Sequence, residues 1–318
     1  MNLTFNITHP GRYPNREIVP AGNIIFSSPV LRVGLFRCPT WSPSFPNSGP
    51  TQGNLLVFPR TSVRIRHEGK RPVVADPNVV MLYNQGQIYY RDKLSERGDL
   101  CDWFSYHPKV IVEAMRPFDP TVDERWNNPF RFTHGPSDPD TYLLQRLAVE
   151  HICRSQHPDT LFVEETMLTV LGRVLRNSYH LNETLNETLP ATRPETRHAH
   201  ANLVHAAKAF IATRFNEPLT IDEIAQAIYS SAFHLCRVFR KYTGNTLHHY
   251  LNQVRLKASL EYVAERDISL TDIGIALGYA SHSHFTKAFR QAFGSPPSTL
   301  RERASIGRIR EMSKILIV

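Results

Sequence analysis

Two histidines stand close to two basic residues near the end of the chain. His282 and His284 lie two positions apart, and Lys287 and Arg290 follow within about two helical turns. These residue types could bind a metal ion, transfer protons or contact an anion. Two zinc ligands on a helix prefer a spacing of four residues, whereas a spacing of two directs the side chains apart. We therefore expect no metal here, and we expect His284 to pack within its helix.

The positive charge is concentrated in the part of the chain that holds these residues. The net charge is +8. Residues 1–196 carry 21 Lys and Arg against 20 Asp and Glu, whereas residues 197–318 carry 16 against 9. Such asymmetry indicates a polyanionic partner for the basic part.

Composition and length exclude several classes of protein. A chain of 318 residues is long enough for about two domains. No apolar run is long enough to cross a membrane, and the first residues lack the apolar core of a signal peptide, so we expect a cytoplasmic protein. The cysteines are widely spaced, which argues against a disulfide framework.

Potential metal ligands are scattered in the first half of the chain. Histidines occur singly at His67, His107 and His134, without a neighbouring set of ligands. The segment "HICRSQH", with His151, is interpreted as a helix surface with a buried cysteine. We expect no metal, no cofactor and no catalytic residue, and hence no enzyme.

Two segments of the basic part repeat each other after about fifty residues. They are "DEIAQAIYSSAFHLCRVFRKYTG" at 222–244 and "TDIGIALGYASHSHFTKAFRQAFG" at 271–294. In each, a short apolar helix is followed by a turn and by a serine, Ser231 or Ser281, that can cap a second helix. The second helix can bury two apolar residues four positions apart and expose a basic face. This pattern predicts two helix-turn-helix units, whose second helices can enter the major groove of DNA.

A helix is predicted between the two units. Six apolar positions in "TLHHYLNQVRLKASLEYVAERD" fit one helical face: Leu247, Tyr250, Leu251, Val254, Ala258 and Val263. Such a helix can hold the two recognition helices apart. Recognition helices about 34 Å apart would meet successive major-groove faces on one side of a duplex.

These motifs resemble the AraC/XylS family of bacterial transcription regulators. The resemblance is carried by A-x-x-x-Y-S-S-x-x-x-L-x-R-x-F at 225–239 and by I-x-x-A-L-G-Y-x-S-x-S-H-F-x-K-x-F-R-x-x-F-G-x-x-P at 273–297. It covers about a hundred residues, roughly 200–303. Three positions depart from the family pattern. Tyr229 replaces a glycine in the first turn, Gly274 replaces an alanine, and Leu300 replaces an aromatic residue.

The resemblance and the repeat together assign the DNA-facing positions. Arg237 can bond guanine, Phe233 can contact a thymine methyl group, and His282 can donate to a purine N7. Ser231, Lys241, Thr286 and Arg290 are expected at phosphates. The remaining positions on the two exposed faces are Cys236, Arg240, Ser283 and Lys287.

The first half of the chain predicts strands followed by two helices. Residues about 20–115 alternate apolar and polar residues between turns, as in a small barrel or sandwich, and residues about 140–180 have helical periodicity. The resemblance implies a cupin-like barrel that binds an effector or dimerises. The predicted fold class is therefore α+β, with a β-rich half, a helical hairpin and an all-α double helix-turn-helix domain. The expected boundaries are 1–181, a linker at 182–197, the DNA-binding domain at 198–304 and a tail at 305–318.

The predicted function is a sequence-specific transcription regulator with double-stranded DNA as partner. The resemblance implies an activator slightly more often than a repressor, with an RNA polymerase contact, a small-molecule effector and a homodimer as further possibilities. Two alternatives stay open at this point. One is a constitutive DNA-binding dimer without an effector, and the other is a cupin-type enzyme with a DNA-binding appendage.

Overall fold

Strands build the first half of the molecule and helices build the second half. The computed structural model describes residues 23–188, 193–264 and 267–303. The predicted α+β fold class, with a β-rich N-terminal half and an all-helical C-terminal half, is confirmed. The cupin-like identity and the domain boundaries stay predictions. Some predictions fall on residues outside those described. They concern the first residues of the chain, the middle of the linker and the tail at 305–318.

The strands form two antiparallel sheets. In order along the chain they are β1 Asn23–Ser27, β2 Leu31–Cys38, β3 Asn47–Ser48, β4 Leu55–Pro59, β5 Val63–His67, β6 Val73–Ala75, β7 Val79–Tyr83, β8 Tyr89–Lys93, β9 Asp99–Tyr106 and β10 His134–Pro136. One sheet has the order β1-β2-β9-β4-β7-β10, and the other has the order β3-β8-β5-β6. Buried side chains of both sheets form a shared apolar cluster that includes Val57, Val63, Ile65 and Met81.

Three helices accompany the sheets. They are α1 Pro108–Met115, α2 Pro139–Arg154 and α3 Thr160–Thr188. Asp138 caps α2, and the side chain of Asp159 accepts a hydrogen bond from the Phe162 N–H at the start of α3. Residues 182–188 of the expected linker continue α3.

Two interpretations of these helices are wrong. Helical periodicity predicts that Leu161 and Leu168 share a buried face of α3 with Met167 and Leu171, but Leu161 and Leu168 are 73% and 41% exposed and only the other two are buried. His151 was assigned to a helix surface but is only 1% exposed, because its ring packs edge-on against Phe162 of the neighbouring helix.

Among its described residues, the C-terminal half contains seven helices. They are α4 Pro194–Arg214, α5 Ile221–Ala227, α6 Ala232–Thr243, α7 Leu247–Val263, α8 Leu270–Ala276, α9 His282–Phe293 and α10 Pro297–Arg303. Helices α5 and α6 form the first helix-turn-helix unit, and α8 and α9 form the second. Helix α7 connects them, as the sequence predicted.

The two units belong to different apolar clusters. The first unit packs with α4 and with Leu247, Tyr250, Leu251 and Val254 of the first half of α7. The second unit packs with the later part of α7, from Leu256 to Val263, in a cluster that also contains residues of α2, α3 and the six-stranded sheet. Helix α7 is therefore shared by both units.

The turns of the two units have the same left-handed backbone but different residues. Tyr229 has φ of 56° and Gly278, at the equivalent position, has φ of 84°. A left-handed conformation strains a residue with a Cβ atom and favours glycine. The side chain of Tyr229 is 99% exposed, so no packing offsets this strain.

We expect Tyr229→Gly to stabilise the protein by about 1 kcal/mol, because the substitution removes the strain of the left-handed turn. The free energy of unfolding, measured with urea, checks this. Gly278→Ala is the matched control and should destabilise, since a Cβ atom there would lie 2.7 Å from Nη2 of Arg255 and 2.9 Å from the carbonyl oxygen of Asn216. A less stable Tyr229→Gly variant would contradict the interpretation.

A buried histidine predicts that the stability depends on pH. His67 is 2% exposed, and burial, aided by the charge of Lys70, lowers the pKa of its ring from 6.5 to about 4. The unfolded chain therefore binds a proton before the folded protein does. The contribution of the neutral His67 ring to stability is complete above pH of about 6.5 and is lost as the pH falls toward 4. In His67→Phe, the urea concentration at the midpoint of unfolding should fall less steeply than in the wild-type protein as the pH is lowered across this window. Parallel plots of this midpoint against pH for the two proteins would contradict the prediction.

Candidate nucleic-acid interface and ligand cavity

Helix α6 divides its residues between a buried face and an exposed face. Leu235, Val238 and Phe239 are buried. The opposite face exposes residues that the sequence assigned to DNA, namely Phe233, Arg237, Arg240 and Lys241, with Ser231 at the cap. Cys236 is partly buried beside them. Phe233 is 80% exposed, which is unusual for a large apolar side chain and suits an apolar contact with a base.

Helix α9 repeats this division. Phe285, Ala288, Phe289 and Phe293 are buried. Along the other face lies a shallow depression lined by six residues: His282, Ser283, Thr286, Lys287, Arg290 and Gln291. The structure thus brings the assigned residues of the second unit together on one surface. Thr286 is partly buried, and the others are exposed.

Gln291 is a candidate that the sequence assignment missed. It lies fifty residues after Lys241, at the matching position of the repeat. An amide can donate to phosphates or bond adenine in bidentate fashion. Applying the offset of fifty to every position of the first helix would have identified it.

The exposed faces are positively charged. Neither α6 nor α9 contains an acidic residue, and between them they carry Arg237, Arg240, Lys241, Lys287 and Arg290. Within the described part of the chain, these five cations are in no ion pair of the structure. Their charges are therefore available to a polyanion.

The two histidines of α9 have different surroundings. The ring of His284 lies edge-on to Tyr279, with 5.3 Å between centroids, so it packs on the turn that precedes α9 and not within its own helix as expected. The ring of His282 lies on the depression, and its Nε2 atom is 3.3 Å from Oγ1 of Thr286. The described residues contain no group of three or more His, Cys, Asp or Glu side chains that could hold a metal ion.

Serine caps fix where both recognition helices begin. The Oγ atom of Ser231 accepts a hydrogen bond from the His234 N–H at 3.3 Å, and Oγ of Ser281 accepts from the His284 N–H at 3.1 Å. Both helices end at a left-handed glycine, Gly244 or Gly294. The predicted repeat is thus reproduced in the capping geometry.

The space between the two sheets contains a cavity of about 520 Å³. Apolar and aromatic side chains from both sheets line it, among them Phe36, Met81, Tyr83, Tyr89 and Trp103. This volume and lining are typical of small-molecule sites. The aromatic residues and arginines of the β-rich half are the sequence's candidates for lining a ligand site, and of these Tyr83, Tyr89 and Trp103 reach the cavity. Tyr90, Phe104, Arg64 and Arg91 are not among its lining residues.

Two oppositely charged groups, Asp99 and Arg91, pair at the cavity, which the charged Arg32 also lines. Asp99 lines the cavity, and its carboxylate is 3.0 Å from Nη1 of the buried Arg91. Burial raises the pKa of Asp99, an effect that Arg91 opposes. Burial also raises the pKa of Tyr89 to about 12, so its hydroxyl is protonated at neutral pH. The aromatic lining therefore favours a ligand with a largely apolar body.

Among the described residues, none of the helices combines the length and apolar character needed to span a membrane.

Comparison with known proteins identifies the C-terminal half. A helix-turn-helix domain model matches residues 224–303. The regulatory protein SoxS of Escherichia coli (strain K12) is 32% identical over 105 residues, which are 33% of this chain and 98% of SoxS. Nearly all of SoxS is thus matched by about a third of this chain.

Two further proteins are similar over about a third of the chain. The bifunctional transcriptional activator/DNA repair enzyme AdaA of Bacillus subtilis (strain 168) is 32% identical over 97 residues, 30% of this chain and 46% of AdaA. The chain therefore spans less than half of AdaA. A transcriptional regulator with an AraC-type DNA-binding domain from Chromobacterium violaceum is 26% identical, with a TM-score of 0.31, and the match covers 34% of this chain and 96% of that one.

The match to most of SoxS, together with the paired units and their exposed basic helices, identifies a DNA-binding transcription regulator. The chain belongs to the AraC/XylS family of bacterial transcription regulators.

Proposed function

We propose that the protein recognises a specific DNA site through two contact blocks, one for each helix-turn-helix unit. The observation that carries this proposal is the pair of matched recognition helices, α6 and α9, each with an exposed basic face and a buried apolar face. Helix α7 joins the units, so one molecule can present both helices to successive major-groove faces.

The exposed residues divide by chemistry into base contacts and phosphate contacts. Arg237 can bond the O6 and N7 atoms of guanine, Phe233 can pack on a thymine methyl group, and His282 can donate to a purine N7. Lys241, Arg290, Thr286 and Ser231 would hold phosphates. The caps leave the hydroxyl protons of the serines free to donate to a phosphate oxygen. Ser283, Lys287, Arg240 and Cys236 complete the two faces.

We propose further that the cavity between the sheets binds a small-molecule effector that changes the affinity for DNA. Its volume and its aromatic lining support this. A screen of uncharged aromatic compounds against the full-length protein, with DNA affinity as the readout, tests it. A compound that binds Trp103 and its neighbours without any change in DNA affinity would favour a constitutive regulator instead.

A homodimer through the helical pair is proposed as well. Leu161 and Leu168 are exposed seven residues apart on α3. Gly172 lies next along the same face, and the space beside it is open, because a Cβ atom added there would have no other atom within 4 Å. Two such faces can pack closely. Sedimentation equilibrium should therefore detect a dimer at micromolar concentration, and a monomer under those conditions would exclude this proposal.

The regulator is proposed to activate transcription in the cytoplasm, with RNA polymerase as a further contact. The similarity to AdaA, a transcriptional activator, supports activation. A reporter fused to the selected DNA site distinguishes activation from repression.

Selection of random duplex DNA by the purified full-length protein tests the central proposal. We expect a motif with two blocks about ten base pairs apart, because successive major-groove faces are separated by one helical turn. A motif with one block, or salt-dependent binding without any motif, would contradict it.

Replacement of Arg237 should relax specificity at one position of the site. We expect Arg237→Ala to cost about 1 to 3 kcal/mol with the preferred base and less with the other bases, because a bidentate contact is lost. Binding to a set of single-base variants of the selected site measures this. Arg71→Ala removes an exposed charge from the N-terminal half and serves as the control. An unchanged base preference in Arg237→Ala would exclude the role in base recognition.

Replacement of Lys241 should weaken binding to all sequences equally. A phosphate contact carries no sequence information, so Lys241→Ala should lower the salt dependence of binding by about one counterion without changing the motif. Titrations at several salt concentrations, with specific and random duplexes, measure this. A loss confined to the specific duplex would show that Lys241 contacts a base.

A further inference from the structure

Helix α7 is held along its length by polar groups of the N-terminal half. At its first turn, the hydroxyl of Tyr250 donates a hydrogen bond of 2.6 Å to Oδ2 of Asp76, and Nδ2 of Asn78 donates to the carbonyl oxygen of Tyr250 at 3.0 Å. Asp76 is fully buried. Lys208 of α4 adds a positive charge near the same carboxylate.

A buried lysine makes the second point of contact. Lys257, at 1% exposure, donates from Nζ to Oδ1 of Asn78 at 2.8 Å and to the carbonyl oxygen of Ser137 at 2.6 Å. Burial lowers the pKa of Lys257 to about 7, and the nearby charge of Asp76 opposes that shift. A lysine is rarely buried unless its donors have partners, and here two oxygens of the N-terminal half supply them.

The third point of contact lies near the end of α7. The carboxylate of Glu261 is 3.3 Å from Nη1 of Arg60 and 3.3 Å from Nη2 of Arg146. Both arginines also contact the buried Asp102, at 2.9 Å from Nε of Arg60 and 3.3 Å from Nη1 of Arg146. Two carboxylates and two guanidinium groups thus alternate across the interface, and Glu261 is the member that α7 contributes.

These docking contacts, defined by Tyr250, Lys257 and Glu261, bridge the two DNA-reading units. Tyr250 belongs to the apolar cluster of the first unit, whereas Glu261 lies between Leu260 and Tyr262 of the cluster that includes the second unit. The reading faces of α6 and α9 stay exposed while the contacts are made. The N-terminal half therefore binds the connecting helix α7 and leaves the DNA-facing surfaces of α6 and α9 exposed.

We propose that the docking contacts position the two helix-turn-helix units relative to each other, so that the N-terminal half sets the spacing between DNA blocks that the protein accepts. This inference rests on the two-block recognition proposed above. Tyr250, Lys257 and Glu261 are positioning residues and do not touch DNA.

The physical basis of the inference is preorganisation. Binding of both blocks requires the two units to be held in one relative orientation, and an orientation fixed before binding lowers the entropic cost. The polar and charged contacts add to the apolar cluster that the later part of α7 shares with α2, α3 and the six-stranded sheet, and each unit also has buried apolar residues of its own. Loss of the contacts should therefore widen the range of spacings between DNA blocks that the protein accepts, while both helix-turn-helix units stay folded.

The experiment compares Glu261→Gln with Glu302→Gln in the full-length protein. Both substitutions remove one negative charge, but Glu302 is exposed on α10. The affinity is measured by fluorescence anisotropy for three duplexes: the selected two-block site, the same site with one base pair inserted between the blocks, and a site with one block. The wild-type protein should prefer the uninterrupted two-block site.

In Glu261→Gln, we expect affinity for the uninterrupted two-block site to fall at least about fivefold. Affinity for one block should be unchanged, and the penalty for the inserted base pair should shrink. Glu302→Gln should keep the wild-type order of affinities. Tyr250→Phe, which removes only the hydroxyl bonded to Asp76, should behave like Glu261→Gln and provides a second variant if that one folds poorly.

Three results would overturn the inference. The first is an unchanged spacing preference in both Glu261→Gln and Tyr250→Phe. The second is an equal loss of affinity for all three duplexes in these variants, and the third is tighter binding of the variants to the two-block site. A wild-type protein that binds one block and two blocks equally would instead overturn the proposed two-block recognition, and this inference with it.

Discussion

The packing of helix α7 is the constraint on which both DNA-reading surfaces depend. Its first half completes the apolar cluster of the first unit through Tyr250, whose ring lies edge-on to Phe239 with 5.4 Å between centroids. Its second half shares a cluster with Phe285 and Phe289 of the second unit. Arg255 adds a polar connection, because it donates 2.6 Å hydrogen bonds to the carbonyl oxygens of Phe215 and Glu217. Each recognition helix is therefore positioned by residues on its buried face, which leaves its opposite face available for DNA.

The same helix connects recognition to the N-terminal half. The cavity lies between the sheets, and two of its lining residues, Pro59 and Cys101, are paired in neighbouring strands. The residues that follow them, Arg60 and Asp102, belong to the ion network around Glu261. Adjacent residues in a strand point to opposite faces of the sheet, so the cavity and the network lie on the two sides of the same strands. A ligand that moved these strands would act directly on the contacts that hold α7.

Much of this arrangement could be predicted from the sequence because it is encoded locally. The capping serines, the apolar spacing in α6 and α9 and the period of about fifty residues fix the paired units without any long-range information. The left-handed backbone conformation of Tyr229 could be predicted as well, because Tyr229 occupies a position where the family pattern has glycine. The sequence could not predict the docking contacts, since Lys257 and Glu261 have residue types that usually face solvent. Their burial depends on Asn78 and Arg60, which lie 179 and 201 residues away along the chain. His151 and Leu161 were misplaced for the same reason, because periodicity indicates an apolar face but not which neighbour covers it.

Hydroxyl-radical footprinting of the full-length protein on its selected duplex tests the central claim most directly. One molecule with both recognition helices engaged should protect two tracts on the same face of the duplex, about one helical turn apart. Reversal of the charges of Lys287 and Arg290 on α9 should remove one tract and leave the other. A single protected tract for the wild-type protein, or loss of both tracts together in a variant whose fold and first unit are intact, would contradict the account.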